Sequence, residues 1–318
     1  MQNLILLDWL SATRPRTPTV VSNDDDTGFS MISALGMQDC HFQIFDGVKG
    51  FGKRLWFDGI SIHLPSDKMP YIWLEMSGSG CRAFETYGHG DWKLLLNLLI
   101  QMGCNIKRID IAHDDHSGIL DMPTLINDTL NEMYVSKSNK HEVIIGLDDT
   151  THERDCSIYH GSKTSNTLIR IYDKAKQLEL GAEHWIRTEI QLRDENAHNT
   201  ALELLRGCDV GALFGGIVIR YLRYIDPNEG DLNKWRWPVK DYWADLVNNA
   251  LPISVASAPG VEYNFSNLEN YIFFQAGNAI KTYIEAFGID KFLEKVQEYK
   301  PYITNPKYRH LLEEIQNA

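Results

Sequence analysis

The sequence predicts an α+β fold in which a mixed or antiparallel central sheet carries helices packed on one face, followed by a mostly helical C-terminal region. Three observations predict this class. Short runs that alternate apolar and polar residues, as half-buried strands do, recur between about residues 39 and 192. Segments with a helical period separate groups of these runs. Beyond about residue 225 the apolar spacing is mostly helical.

The composition is that of a folded globular protein, with 318 residues of which 43% are hydrophobic and 23% charged. The longest apolar stretch, residues 92–102, is interrupted by polar residues and is shorter than the roughly 20 residues that cross a bilayer. The first residues lack the basic and small-residue features of a signal peptide. We therefore expect a cytoplasmic protein without a membrane contact. The five cysteines lie far apart without a Cys-x-x-Cys pair, which predicts reduced thiols.

The first elements in chain order form a meander. Residues 12–30 are rich in Thr, Pro, Asp and Ser, so we assign residues 1–38 to a loose N-terminal segment. Four alternating runs then follow between glycines and predict an antiparallel meander. These runs are His41–Phe45, Arg54–Phe57, Ser61–Leu64 and Ile72–Met76. Residues 91–102 have helical spacing and end at Gly103.

A similar order of elements follows. Residues 107–113 predict a strand, and residues 122–134 predict a helix that starts after Asp121-Met-Pro. Four more strand-like runs and a short helix come next. These are His141–Ile145, Asp155–His160, Thr167–Asp173, Trp185–Leu192 and the helix Ala197–Arg206. Strand, helix and further strands thus occur twice, as a loose repeat over roughly residues 39–103 and 107–206. The polar segment 226–230 predicts a connector, so we assign 39–225 to one domain and 226–318 to the helical region.

Three of the predicted strands carry ionic residues on one face and isoleucine or leucine on the other, because alternate residues of a strand share a face. The ionic face of the first strand carries Arg108, Asp110 and Asp114. That of the second carries Arg170, Tyr172 and Lys174, and that of the third carries Arg187, Glu189, Gln191 and Arg193. A buried apolar face explains the aliphatic residues but not the charges opposite them.

If these three faces align in one sheet, they supply the parts of a phosphate-cleaving site. Asp110, Asp114 and Glu189 offer the hard oxygen ligands that Mg²⁺ or Mn²⁺ prefers. Tyr172 offers a hydroxyl nucleophile that needs activation, since its free pKa is about 10. The arginines and Lys174 offer positive charge for a phosphate. The alternative is a solvated sheet surface with cross-strand ion pairs, and the pattern alone leaves both interpretations open.

The net charge of −12 argues against a protein that coats nucleic acid nonspecifically, and restricts DNA contact to a local basic surface. Cations and aromatic residues interleave over residues 220–243, and Lys234, Trp235, Arg236 and Trp237 predict contact with phosphates and unpaired bases. Aromatic packing in the core is the alternative there. The glycine-rich segment 47–54 lacks the order of an ATP-binding loop and predicts a hairpin tip whose exposed lysines could reach DNA.

The ionic strands resemble motifs of the replication initiation factor family of rolling-circle plasmids and filamentous phages. The matching stretches are Arg108-Ile-Asp110-Ile-Ala-His-Asp114, Tyr159-His-Gly161-Ser162-Lys163 with Arg170-Ile-Tyr172-Asp-Lys174, and Arg187-Thr-Glu189-Ile-Gln-Leu-Arg193. Residues Leu74–Glu85 resemble the phage branch in particular. These matches lie between about residues 70 and 195, in the order of the family.

The resemblance implies a nickase that starts DNA replication. Tyr172, flanked by Arg170 and Lys174, would form a 5′-phosphotyrosine and leave a 3′-OH, while Asp110, Asp114 and Glu189 would hold the metal ion. The DNA contacts would come from Arg108, Arg187, Arg193 and Lys163, together with residues 234–237. It also implies double-stranded origin DNA whose nicked strand is locally single-stranded, a host helicase and polymerase as partners, and a homodimer. A metal-dependent nuclease without a covalent step and a non-catalytic DNA-binding regulator are the alternatives.

Overall fold

The computed structural model describes residues 4–15, 24–147, 154–178, 183–228, 230–247, 272 and 277–298. Its strands follow the predicted alternating runs, with two additional short strands and one long N-terminal strand. They are β1 (Leu4–Pro15), β2 (Gln43–Asp46), β3 (Lys53–Phe57), β4 (Ile60–His63), β5 (Tyr71–Met76), β6 (Asn105–Asp115), β7 (Tyr134–Ser136), β8 (His141–Leu147), β9 (Arg154–His160), β10 (Thr167–Asp173), β11 (Ile186–Arg193) and β12 (Leu222–Tyr224).

The helices lie between and after these strands. They are α1 (Asp24–Leu35), α2 (Gly78–Tyr87), α3 (Trp92–Gln101), α4 (Met122–Leu130), α5 (Lys174–Gln177), α6 (Asp194–Leu205), α7 (Val210–Tyr221), α8 (Asp241–Val247), α9 (Gly277–Phe287) and α10 (Ile289–Glu298), with a 3₁₀ helix at Lys234–Arg236. Side chains of Asp91 and Asp121 accept hydrogen bonds from the first turns of α3 and α4, which explains why these helices begin where they do. No helix in the described ranges is long and apolar enough to cross a membrane.

Ten strands form one antiparallel sheet in the order β2-β3-β4-β5-β1-β6-β11-β10-β9-β8, and β12 pairs with β7 separately. The isoleucines of the alternating runs, such as Ile109, Ile171 and Ile190, are buried in the main hydrophobic core. Helices α1, α3, α6 and α7 contact the sheet beside these residues. The predicted α+β fold, with helices on one face of an antiparallel sheet, is therefore confirmed, and the opposite face carries the ionic residues.

The predicted N-terminal segment differs most from the structure. Strand β1 lies in the middle of the sheet, between β5 and β6, and α1 follows it. The strand was missed because residues 12–30 are polar in composition. Ala12 and Thr13 nevertheless pair with Leu74 and Trp73 of β5. The first 38 residues therefore include a central part of the same sheet. The predicted C-terminal helices are present as α8, α9 and α10, while residues 248–271 and 299–318 lie outside the described ranges.

The sheet contains an internal repeat. A first half runs β1-α1-β2-β3-β4-β5-α2, and a second half runs β6-α4-β8-β9-β10-β11-α6. Both halves place their strands in the same order outward from the centre. Strands β1 and β6 pair reciprocally, with Leu4 opposite Asp114 and Thr13 opposite Asn105, as a two-fold axis between them requires. The loose repeat predicted from the sequence is thus present, but its first copy starts at residue 4 instead of residue 39.

Candidate active site

The sheet register brings the three ionic strand faces together. Strand β11 lies between β6 and β10. In one row across these strands, Asp114 lies opposite Arg187, and Arg187 lies opposite Tyr172. In the next row, Glu189 lies opposite Arg170. All these residues point to the face opposite α1, α3, α6 and α7, so the three ionic faces are aligned in one sheet.

The aligned faces form the floor of an open cavity of about 710 Å³. The cavity lining includes Arg108, Asp110, Asp114, Arg170, Tyr172, Lys174, Arg187 and Glu189 from the predicted set. Lys174 reaches it from the first turn of α5 instead of from the strand. Carboxylates, cations and one phenol therefore share a single space.

Tyr172 is almost completely buried in the wall of this cavity, with 2% of its surface exposed. Its hydroxyl donates a hydrogen bond of 2.6 Å to Oε1 of Glu189. The guanidinium of Arg170 lies 3.8 Å from the centre of the phenol ring, and Nζ of Lys174 lies 5.6 Å from it. Burial, and then the charge of Glu189, raise the pKa of Tyr172 far above its usual value. The phenol is therefore protonated and needs a base before it can attack a phosphate.

Glu189 is placed to be that base. Burial raises its pKa, while the hydrogen bond from Tyr172 and the charge of Arg170 oppose this rise. Its carboxylate also lies 4.0 Å from a nitrogen of Arg170 and of Arg187. Glu189 was predicted to hold the metal, and its direct contact with the tyrosine hydroxyl is one that spacing along the chain could not indicate.

Arg187, the neighbour of Tyr172 in the sheet, forms ion pairs with two aspartates. It donates to both oxygens of Asp114, at 2.6 and 2.7 Å, and to Oδ2 of Asp8 at 2.9 Å. Trp185 also donates to Asp114, at 2.6 Å. Burial would raise the pKa of Asp114, but these hydrogen bonds hold it below its usual value. Arg187 and Asp114 are therefore a fixed ion pair, with 8% and 3% of their side chains exposed.

Asp110 forms a second pair, with both of its oxygens accepting from Arg108. Burial raises the pKa of Asp110, and the contact with Arg108 opposes the rise. The other side of the Arg108 guanidinium lies over the ring of Trp9, 4.0 Å from its centre. This end of the cavity thus combines a carboxylate, a cation and an aromatic ring.

Asp8 belongs to the site and was missed from the sequence. The pairing of β1 with β6 is interrupted between Leu7 and Trp9 by a β-bulge, which brings both Asp8 and Trp9 to the cavity. Strict alternation would place only one of two neighbouring residues there. The available signal was a lone carboxylate within the apolar run Leu4–Leu10.

The donor chemistry fits a divalent ion, because Asp8, Asp110, Asp114 and Glu189 all contribute hard carboxylate oxygens to one cavity. As the side chains stand, arginines occupy both oxygens of Asp110 and of Asp114. Within the described ranges, no three acidic, histidine or cysteine residues come close enough to hold an ion as they are. A bound ion would therefore take the place of arginine contacts.

The remaining predicted DNA contacts lie outside the cavity lining. Arg193 donates to Oε1 of Gln191, and Lys163 is exposed in the turn between β9 and β10. The segment 234–237 forms a 3₁₀ turn beside β7. There Arg236 pairs with Asp231, and the ring of Trp235 lies about 5 Å from the cations of Lys137 and Arg223. DNA binding by residues 234–237 thus stays a prediction about a different surface.

Residues 104–298, more than half of the chain, match the replication initiation factor family. The chain belongs to this family. The matched range contains all the predicted residues of the cavity and begins just before β6, so β1–β5 precede it. The family expected from the motifs is thereby confirmed, whereas its phage branch stays a prediction.

Two relatives are informative. The chain is 24% identical over 226 residues to the "Putative DNA relaxase NicK" of Bacillus subtilis (strain 168). That match covers 68% of this chain and 64% of the relative's own length. The solved structure of a rolling circle replication initiator protein from Geobacillus stearothermophilus superimposes with a TM-score of 0.71 at 26% identity. It covers 80% of this chain and 99% of the other, so the two share a fold.

Proposed function

We propose that this family member is a rolling-circle replication initiator that nicks one strand at a double-strand origin through Tyr172 and later rejoins it. The observation that carries the proposal is the hydrogen bond between the Tyr172 hydroxyl and Glu189 inside a cavity lined by Arg170, Lys174 and Arg187. A DNA relaxase and a rolling-circle initiator among the relatives support it.

The proposed reaction transfers a phosphoryl group to the phenol. Glu189 takes the proton of Tyr172, and the phenolate oxygen attacks the phosphorus. The bond from phosphorus to the 3′ oxygen breaks, and the proton that Glu189 took passes through solvent to this oxygen, which leaves a 5′-phosphotyrosine and a 3′-OH. Arg170, Lys174 and Arg187 stabilise the charge that builds up on the phosphate oxygens. Attack of the 3′-OH on the phosphotyrosine would reverse these steps and rejoin the strand.

We also propose that Asp8, Asp110 and Glu189 hold Mg²⁺ or Mn²⁺. Asp114, which was also predicted to bind the metal, is the carboxylate most firmly bound by arginine. The charge of Asp8 acts on both Asp110 and Glu189, which supports this grouping. When bound, such an ion would polarise the phosphate oxygens. The proposed partners are origin DNA with a locally single-stranded nick site, a host polymerase that extends the 3′-OH, a host helicase and a second copy of the chain.

Tyr172→Phe tests the covalent step, because it removes the hydroxyl and leaves the ring under Arg170. We expect loss of both nicking and covalent protein–DNA adduct on supercoiled origin DNA, with DNA binding unchanged. Tyr159→Phe is the matched control, since Tyr159 pairs with Arg170 on the same face of the sheet. Nicking by Tyr172→Phe at the wild-type rate would contradict the covalent step and indicate a nuclease that works without one. An inactive wild type that binds the origin would indicate the regulator.

A further inference from the structure

The internal repeat gives the active site a counterpart in the first half of the sheet. Under the two-fold relation, β1, β5 and β4 correspond to β6, β11 and β10. Thr13 then corresponds to Asp114, and each begins a row across three strands. In the second half this row continues to Arg187 and Tyr172. In the first half it continues to Trp73 and His63.

The neighbouring row confirms the correspondence and retains a carboxylate. Glu75 of β5 lies opposite Ser11 and Ser61, as Glu189 of β11 lies opposite Ala112 and Arg170. The first half therefore has a glutamate at the place of Glu189, a histidine at the place of Tyr172 and a tryptophan at the place of Arg187. The nucleophile and the arginine that supports it are missing from this copy.

His63 at the nucleophile's place is built in as a support for Trp73. It is 3% exposed, and neither ring nitrogen has a hydrogen-bond partner. Its ring stacks on that of Trp73, with centres 4.5 Å apart and planes at 18°. The indole nitrogen of Trp73 donates to Oγ of Ser11 at 2.7 Å. The indole is thus held in a fixed orientation on the open side of the sheet.

Cations accompany aromatic rings across this open side. Nζ of Lys49, at the tip of the β2–β3 hairpin, lies 5.0 Å from the ring centre of Trp73. The guanidinium of Arg54 lies 5.1 Å from the ring of Phe45 in the same row of the sheet. With Trp9 under Arg108, three cation–aromatic pairs run from the cavity towards the β2 edge. We call Trp9, Phe45, Lys49, Arg54 and Trp73 the first-half face.

We propose that the first-half face binds the single strand that continues from the scissile phosphate, packing unpaired bases against its aromatic rings and holding phosphates with Lys49 and Arg54. Alternating cations and flat rings are what a single-strand groove requires. On a chain with a net charge of −12, a cationic stripe in line with the cavity is complementary to a nucleic acid strand. From Tyr172 on β10 to Trp73 on β5 the path crosses four strand spacings, roughly 20 Å.

This inference rests on the proposed function for its ligand, but it can fail separately. The test uses the full chain and labelled single-stranded oligonucleotides of two lengths. The long one contains the nick site with flanks on both sides, and the short one covers only the cavity. Lys49→Glu is compared with Lys53→Glu. Lys53 is an exposed lysine of the same hairpin, but it lies on the opposite face of the sheet from its neighbour Arg54 and therefore outside the first-half face.

We expect Lys49→Glu to weaken binding of the long oligonucleotide. The slope of the logarithm of the binding constant against the logarithm of the salt concentration should become shallower by about 0.7, the contribution of one phosphate contact with a single strand. Lys53→Glu should bind like the wild type. Both variants should cleave the short oligonucleotide at the wild-type rate. Trp73→Leu should lose roughly tenfold in affinity for the long oligonucleotide, with a circular dichroism melt to verify folding.

Equal binding of the long oligonucleotide by Lys49→Glu and Lys53→Glu would overturn the proposal. If the wild type cleaves neither oligonucleotide, the proposed nicking function fails. The difference in binding between the two lysine variants still decides the inference in that case.

Discussion

Glu189→Gln is the sharpest test of how Tyr172 is activated. Glutamine keeps the size of the side chain and still accepts a hydrogen bond from the hydroxyl, which now lies 2.6 Å from Oε1. An amide oxygen is far too weakly basic to remove the proton. A general base typically contributes about 100-fold to 10,000-fold, so we expect the nicking rate to fall by that range. DNA binding should not weaken, because the substitution removes a negative charge.

The pH profile gives a second readout. Burial raises the pKa of Glu189, and nicking requires its charged form. Wild-type nicking should therefore decline as the pH falls through this raised pKa and reach a plateau above it. Glu189→Gln should lack this limb of the profile.

Single-turnover formation of the covalent adduct on an oligonucleotide, followed on denaturing gels across pH, measures both effects. The assay uses saturating Mn²⁺, because Glu189 is also a proposed metal ligand. Glu142→Gln serves as the control, because Glu142 is exposed on β8 and lies opposite Tyr159. A Glu189→Gln rate within about threefold of the wild type, or an unchanged pH limb, would refute the role of Glu189 as the base.

Two further predictions concern the carboxylates. Arg187→Met leaves the buried Asp114 and the half-buried Asp8 without their arginine, and should lower the free energy of unfolding in urea by about 3–5 kcal/mol. Lys107→Met, which breaks an exposed pair with Asp194, should cost at most about 1 kcal/mol. Asp8→Asn should raise the Mn²⁺ concentration needed for nicking and weaken Mn²⁺ binding measured by calorimetry. An unchanged Mn²⁺ affinity would remove Asp8 from the proposed metal site.

Much of the site could be predicted because it depends on strand periodicity. Alternation assigned the ionic residues of each strand to one face, and the structure brings these faces together in one cavity. They include Arg108, Asp110, Tyr172 and Glu189. Periodicity could not show that β11 lies between β6 and β10, because strand order depends on contacts between distant parts of the chain. The hydrogen bond from Tyr172 to Glu189 depends on that order, so the sequence predicted only a metal-binding role for Glu189.

The errors have local causes. Asp8 was missed because a bulge shifts the register by one residue, which alternation cannot anticipate. Residues 1–38 were assigned to a loose segment on composition, although β1 derives its stability from pairing with β5 and β6 on both sides. The tryptophans at 235 and 237 are a different case, because they lie beside β7 and outside the cavity lining, and their contact with DNA stays a prediction.

The pairing of β1 with β6 limits how this protein can be divided. A fragment with only residues 104–298 would contain Tyr172 and the matched motifs, yet it would turn β6 into an edge strand with unpaired backbone groups. Ile109 and Ile111 would lose neighbours across that edge, which makes self-association through β6 the expected fate of the fragment. The minimal unit for biochemistry therefore starts at β1, ahead of the segment by which the family is recognised.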